Sequence, residues 1–221
     1  AKKIIDRNGF SEKIKMINKS SLDLELGNDL PKQADLIISE VLSAEIVGEG
    51  VRNTILDANK RLLKPGGRLI PESASVRVAL LGSDKKISDQ TLVGVVEGFD
   101  LSHFNTITPS KHVINGDECP NFLSEGQTVF DFDFYNLDDT KKCESVESIV
   151  ATKAGYCIGI IQWIKINVYD DIEYENKPGL TFSHWPNPIF LFDKPVKVCA
   201  GDKLLLKASL YNDKIWFSPK I

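Results

Sequence analysis

The 221-residue sequence lacks the pairings that metal and disulfide frameworks need. Cys119, Cys143, Cys157 and Cys199 are scattered, with no CxxC pair and no histidine at zinc-finger spacing. That argues against a structural metal site and for reduced thiols in a cytoplasmic protein. No apolar run approaches the ~20 residues that span a bilayer, and the N-terminus has no signal-peptide profile, so no membrane role is expected. Excess positive charge is missing too. With 27 basic against 31 acidic residues the net charge is −4, which gives no general attraction to nucleic-acid phosphates or anionic lipid. Internal repeats and low-complexity tracts are absent. What remains, 42% hydrophobic and 26% charged residues, is the composition of a soluble globular protein with one large domain or two modest ones.

Periodicity divides the chain near Pro71. "AKKIIDRNGF" reads as a helix with Ile4 and Ile5 apolar and Gly9 suited to a left-handed stop after Asn8. "KIKMIN" (13–18) alternates as a short strand. "ADLIIS" (34–39) is a continuous apolar run, the signature of a strand buried on both faces of a parallel sheet. "GVRNTILDANKRLL" then carries Val51, Ile55, Ala58 and Leu62 at helical spacing, and "KPGGRLIPES" gives a turn and the strand "RLI". This order predicts an α/β unit. Beyond it, alternating stretches dominate at 74–81, 128–134, 156–168, 188–192 and 203–210. They predict an all-β sandwich or barrel. Residues 102–126 have no clear period and read as an excursion from it.

Two carboxylates stand out in "SEVLSAEIVGEG" (39–50), where Glu40 and Glu49 lie nine positions apart at the end of the apolar run. Ligand sites of open α/β sheets lie at the strands' carboxyl ends, which is where Glu40 falls. Glu49 precedes a predicted helix and is also explained as a first-turn charge favoured by the helix dipole. Gly48 and Gly50 would let the backbone fold Glu49 back toward Glu40. Two converging carboxylates repel unless a cation lies between them. A hard metal wants more oxygen ligands than these two supply, whereas a planar guanidinium offers five donors.

The stretch "ADLIISEVLSAEIVGEG", a helix, and then "LKPGGRLIPESASVRV" resembles the double-glutamate loop and following strand of the protein arginine N-methyltransferases. "SHW" at Ser183–Trp185 is similar to the family's Thr-His-Trp loop, and "EGFDLS" (97–102) resembles the lead into its dimerisation arm. The opening "AKKIIDRNGFSEKIKMINKSS" looks closest to the type III, monomethylating branch, although that branch often has an aspartate where this chain has Ser43. The resemblance implies a partial Rossmann-like methyltransferase domain at 1–72, followed by a β-barrel substrate domain at 73–221 with a dimerisation arm inserted at 102–126.

It also implies an activity, methyl transfer from S-adenosyl-L-methionine to a guanidinium nitrogen of arginine in a protein or peptide. Glu40 and Glu49 would clamp the guanidinium, and His184 would help receive the proton. Ser20 and Ser21 match positions that contact the cofactor's adenine. Trp185 would fix the loop by packing, and a homodimer or a tandem pseudo-dimer would be the assembly. On its own residues, His184 is also explained as a half-buried barrel-loop histidine.

The family's glycine-rich GxGxG turn and ribose-holding acid are not among residues 1–221. If "KIKMIN" and "ADLIIS" are strands 3 and 4 of order 3-2-1-4-5, a gap of roughly 14 Å separates them. The expectation is therefore a fragment that binds the cofactor poorly and is inactive alone. Two rival functions are compatible with the same residues. One is a non-catalytic interaction module with relic glutamates; the other is a glycoside hydrolase using the glutamates as acid and nucleophile.

Overall fold

The apolar run at 34–39 forms strand β1 (Ala34–Ile38), which pairs in parallel with β2 (Leu63–Ile70) in a computed structural model that describes residues 1–116, 118–137, 142–179 and 183–220. The register jumps between Ala34↔Leu63 and Leu36↔Arg68, so the "KPGG" segment bulges out with Gly66 at φ +71°. Only the burial expected of β1 is corrected. Leu36 and Ile38 are exposed, Ile38 by 70%, because among the described residues β2 alone lies beside β1.

The short strand expected at 13–18 is also corrected. A strand is stabilised by its ladder, and no described strand runs beside these residues, which have no regular structure beyond the turn at 11–13. Helix α1 (Lys2–Arg7) forms as expected, with Gly9 at φ +73° after its Asn8 cap. Helix α2 (Val51–Asp57) runs into a wider turn at Ala58–Leu62 and buries Val51, Ile55, Ala58 and Leu62, the four expected positions.

Beyond the Ile70–Pro71 peptide the chain is almost entirely antiparallel. It forms β3 (Ser73–Gly82), helix α3 (Lys85–Thr91), the two-residue strands β4 (Val95–Val96) and β5 (Phe99–Asp100), and β6 (Lys111–Ile114). Then follow β7 (Gln127–Asp133), β8 (Lys142–Val150), β9 (Gly155–Tyr169) and β10 (Ile172–Glu175). Strands β11 (Asn187–Val198), β12 (Lys203–Tyr211) and β13 (Lys214–Pro219) complete the chain. One sheet has the order β6-β11-β9-β3-β7, with β10 on β9; a second has β13-β12-β8. Alternation places Val76, Val78, Ile160, Ile164, Leu206 and Ala208 in one core between the sheets. The opposite face of the larger sheet is covered as well, where Leu81, Ile161 and Trp163 pack with Ile87 of α3.

That core does not stop at the barrel-like part. Ile46, Val47, Val51 and Ile55 belong to the same cluster, so the loop after β1 and α2 are packed onto the sheets. Polar ties reinforce the junction: the Leu69 N–H donates to the Tyr135 hydroxyl at 2.9 Å, and the Asn59 side-chain amide donates to the Phe134 carbonyl at 2.5 Å. The excursion expected at 102–126 leaves the sheets only in part. Lys111–Ile114 pairs with β11, and Leu123 is buried in the core; Asp117 lies outside the described residues. What stands clear is an apolar stretch that overlaps its start, where Leu92, Val95, Val96, Phe99, Phe104 and Ile107 are all exposed.

Candidate active site

The chain leaves β1 with the Ser39 N–H bonded to the Ile70 carbonyl at 2.8 Å, which delivers Glu40 to the carboxyl end of the parallel pair. The following loop is closed on itself by Ser43, whose hydroxyl oxygen accepts from the N–H groups of Glu45 (3.3 Å) and Gly48 (3.2 Å). Gly48 is there for space: a Cβ on it would lie 2.5 Å from Ser43 Oγ. The left-handed turn comes instead from Ile46 (φ 65°), Glu49 (φ 60°) and Gly50 (φ 70°). For Ile46 and Glu49 that conformation is strained, and burial of Ile46 and Val47 in the core holds it in place.

The histidine arrives from the other part of the fold. Ser183 Oγ accepts from the Tyr174 hydroxyl at 2.8 Å and from the Trp185 N–H at 3.1 Å. The Trp185 ring meets Tyr174 edge-on at 5.8 Å and His184 at 4.5 Å between centroids. Trp185 also packs against the main core, as its expected packing role requires. His184 is thereby placed over a cavity of about 740 Å³ whose lining includes Glu40, Leu42, Ile166, Tyr174, His184 and Trp185. Residues 144 positions apart in the chain share one chamber with mostly apolar walls, where Glu40 and His184 are both exposed.

A second cavity, of about 490 Å³, shares Ile38, Ser39, Glu40, Ile70 and Pro71 with the first. The two chambers therefore meet at Glu40. Ser21 lines the second one among Leu24, Leu30, Ala34 and Leu36. Mostly apolar walls with the hydroxyls of Ser21, Ser39 and Thr54 suit the flat base of a nucleoside, so the residues present fit the adenine end of the implied S-adenosyl-L-methionine. Ser20 is not among the described lining residues. Its hydroxyl accepts from the Leu22 N–H at 3.3 Å and caps the short turn Ser21–Asp23. Glu49, exposed on its strained turn, is not among the described residues lining either chamber. The structure thus brings Glu40 together with His184 on one side and Ser21 on the other, and leaves Glu49 and Ser20 outside. Among the described residues no group of acidic, histidine or cysteine side chains could hold a metal ion.

Sequence reasoning missed Tyr174 and the apolar wall of Ile166 and Val168. The available signal was the alternation of "IQWIKINV", which points Ile164, Ile166 and Val168 to one face. Nothing local marked Tyr174, whose role depends on β10 folding back on β9.

Comparison with known proteins fits this geometry. The profile of the arginine methyltransferase oligomerization subdomain matches residues 72–219. An arginine N(omega)-methyltransferase of Streptomyces achromogenes subsp. streptozoticus is 31% identical over 211 residues, covering 94% of this chain and 57% of its own. Protein arginine N-methyltransferase 7 of Gallus gallus is 26% identical over 250 residues, covering 99% of this chain and 35% of its own. Among solved structures, the Trypanosoma brucei PRMT1 enzyme-prozyme heterotetrameric complex with AdoHcy has the same fold. Its TM-score is 0.83 at 18% identity, over 97% of this chain and 70% of that one. The chain therefore spans between about a third and 57% of the length of these curated relatives. It belongs to the protein arginine methyltransferase family.

Proposed function

We propose that the protein transfers a methyl group to a guanidinium nitrogen of arginine in proteins or peptides. The single observation that carries this is the meeting of two chambers at Glu40, one holding His184 and the other Ser21, in a member of this family. Residues 1–72 act as the cofactor-side unit and 73–221 as the substrate barrel. S-adenosyl-L-methionine, when bound, supplies a methyl group carried on a sulfonium.

Arginine stays protonated, so its nitrogens are poor nucleophiles until charge is drawn away from the attacking one. Glu40 does this by accepting hydrogen bonds from the other nitrogens, and it turns the free nitrogen toward the Ser21 chamber. The walls formed by Leu42, Ile166 and Trp185 offer the guanidinium's stem an apolar surface. Glu49, exposed on the turn that follows, is the second carboxylate of the proposed clamp. A methylated guanidinium must lose one proton, and His184 in the same chamber would receive it.

The dimerisation arm, expected at 102–126, is shifted to the exposed apolar stretch from Leu92 to Ile107, which docks on a second copy or a tandem module. Free cysteines, three of them exposed, fit a reducing, cytoplasmic setting. The test is tritiated methyl transfer by the full-length protein to an arginine-rich peptide, beside the same peptide with lysine in place of arginine. Label on the arginine peptide alone is expected; equal labelling of both, or none, would refute the activity.

A further inference from the structure

The loop between the two clamp residues contains a third glutamate. Glu45 does not face either chamber; it forms an ion pair with Lys111 at the start of β6, and both side chains are half-buried. Lys111 is itself held over two rings, 5.3 Å from the centroid of Phe190 and 5.7 Å from that of Trp216. The neighbouring Ala44 carbonyl accepts from the side-chain amide of Gln162 at 3.2 Å, and Gln162 is completely buried in β9. The Gln162 carbonyl in turn accepts from the buried Asn187 side chain, two residues past Trp185.

We infer that Lys111 and Gln162 are positioning residues: through Glu45 and the Ala44 carbonyl they moor the glutamate loop to the substrate barrel and set Glu40 against His184. This rests on the proposed methyl transfer for its catalytic part, but the mooring is a property of the fold. The loop needs it. Its own bonds, Ile46 N–H to Ser43 carbonyl at 2.9 Å and Val47 N–H to Glu45 carbonyl at 2.7 Å, close the turn without fixing where the turn sits. Two left-handed non-glycine residues, Ile46 and Glu49, give the free loop a reason to relax elsewhere. Attachment at both Ala44 and Glu45 sets position and rotation together. The link also joins the glutamate loop to the strand that directly follows the exposed apolar stretch ending at Ile107.

The test uses hydrogen–deuterium exchange and kinetics on the full-length protein, comparing wild type with Lys111→Met, Lys111→Arg and the exchanged pair Glu45→Lys/Lys111→Glu. Lys111→Met is expected to speed exchange at the amides of residues 45–48 by about tenfold, while β9 amides keep wild-type protection. It should also lower kcat by about tenfold with little change in KM for the peptide, because orientation and not binding is lost. Lys111→Arg and the exchanged pair should each recover most of both. Unchanged exchange in Lys111→Met would overturn the mooring. Faster exchange with unchanged kcat would overturn the positioning role. A wild type with wild-type exchange but no methyl transfer would refute the proposed function, and the exchange data would still decide the mooring.

Discussion

Tyr174 donates its hydroxyl hydrogen to Ser183 at 2.8 Å, while the same serine oxygen receives the Trp185 N–H. A residue of β10 thus sets the pose of the histidine loop, and His184 sits between these two anchors in sequence. Removing one such bond costs about 1 kcal/mol. Tyr174→Phe and Ser183→Ala are each expected to lower methyl-transfer rate by about tenfold with a small loss in melting temperature. Ser183→Thr, which keeps the hydroxyl, should retain most activity. Steady-state kinetics with thermal unfolding checks this.

Gly48 and Gly50 differ in the reason for being glycine. At Gly48 a Cβ would meet Ser43 Oγ at 2.5 Å, whereas at Gly50 nothing lies within 4 Å but φ is +70°. Gly50→Ala should therefore cost only the left-handed penalty of about 1–2 kcal/mol. Gly48→Ala should displace Ser43, break the bonds that close the loop, and lower activity more than Gly50→Ala does. Combining Gly48→Ala with Ser43→Gly should recover space without recovering those bonds. Melting curves and peptide kinetics on the three variants separate the two effects.

How much of this was legible beforehand follows from which interactions are local. Val51, Ile55, Ala58 and Leu62 were readable because helical spacing alone puts them on the buried side. The alternation at 74–81 and 156–168 gave two long barrel strands, β3 and β9, directly. The strand at 13–18 failed because alternation specifies a face, not a partner. β8 was missed because "KCESVESIV" places glutamate and serine at positions that its neighbour β12 makes tolerable. At the site, Glu40 was found from its place at a strand end. Its neighbour Glu45 was passed over because its partner Lys111 lies 66 residues away.

The exposed stretch at 92–107 is ordered by its own contacts. The Asn105 side chain accepts from the Val93 N–H at 2.9 Å and donates to the Val93 carbonyl at 2.8 Å. An apolar surface held ready in this way, with Phe99 71% and Ile107 77% exposed, is expected to be covered by another copy or module. Phe99→Ser with Ile107→Ser should shift a self-associating protein to a monomer in sedimentation velocity without lowering its melting temperature. Unaltered sedimentation would place the contact elsewhere.

Cys157 differs from the other cysteines. Burial pushes its thiol above the ordinary range, against the opposing effect of nearby backbone hydrogen bonds, while Cys119, Cys143 and Cys199 are exposed. With its thiolate scarce and access closed, Cys157 should resist alkylation at pH 8 in the native protein, while the three exposed cysteines react. Mass spectrometry after iodoacetamide treatment should find Cys157 modified only once the protein is unfolded.

Of the five described residues shared by the histidine chamber and the serine-lined chamber, Glu40 alone is ionisable, so the most direct measurement is the single-turnover methyl-transfer rate of Glu40→Gln against wild type on one arginine peptide. The substitution keeps shape and removes charge. A fall on the order of 10²-fold or more, with unfolding unchanged, is the expected result. A rate within twofold of wild type would contradict the account.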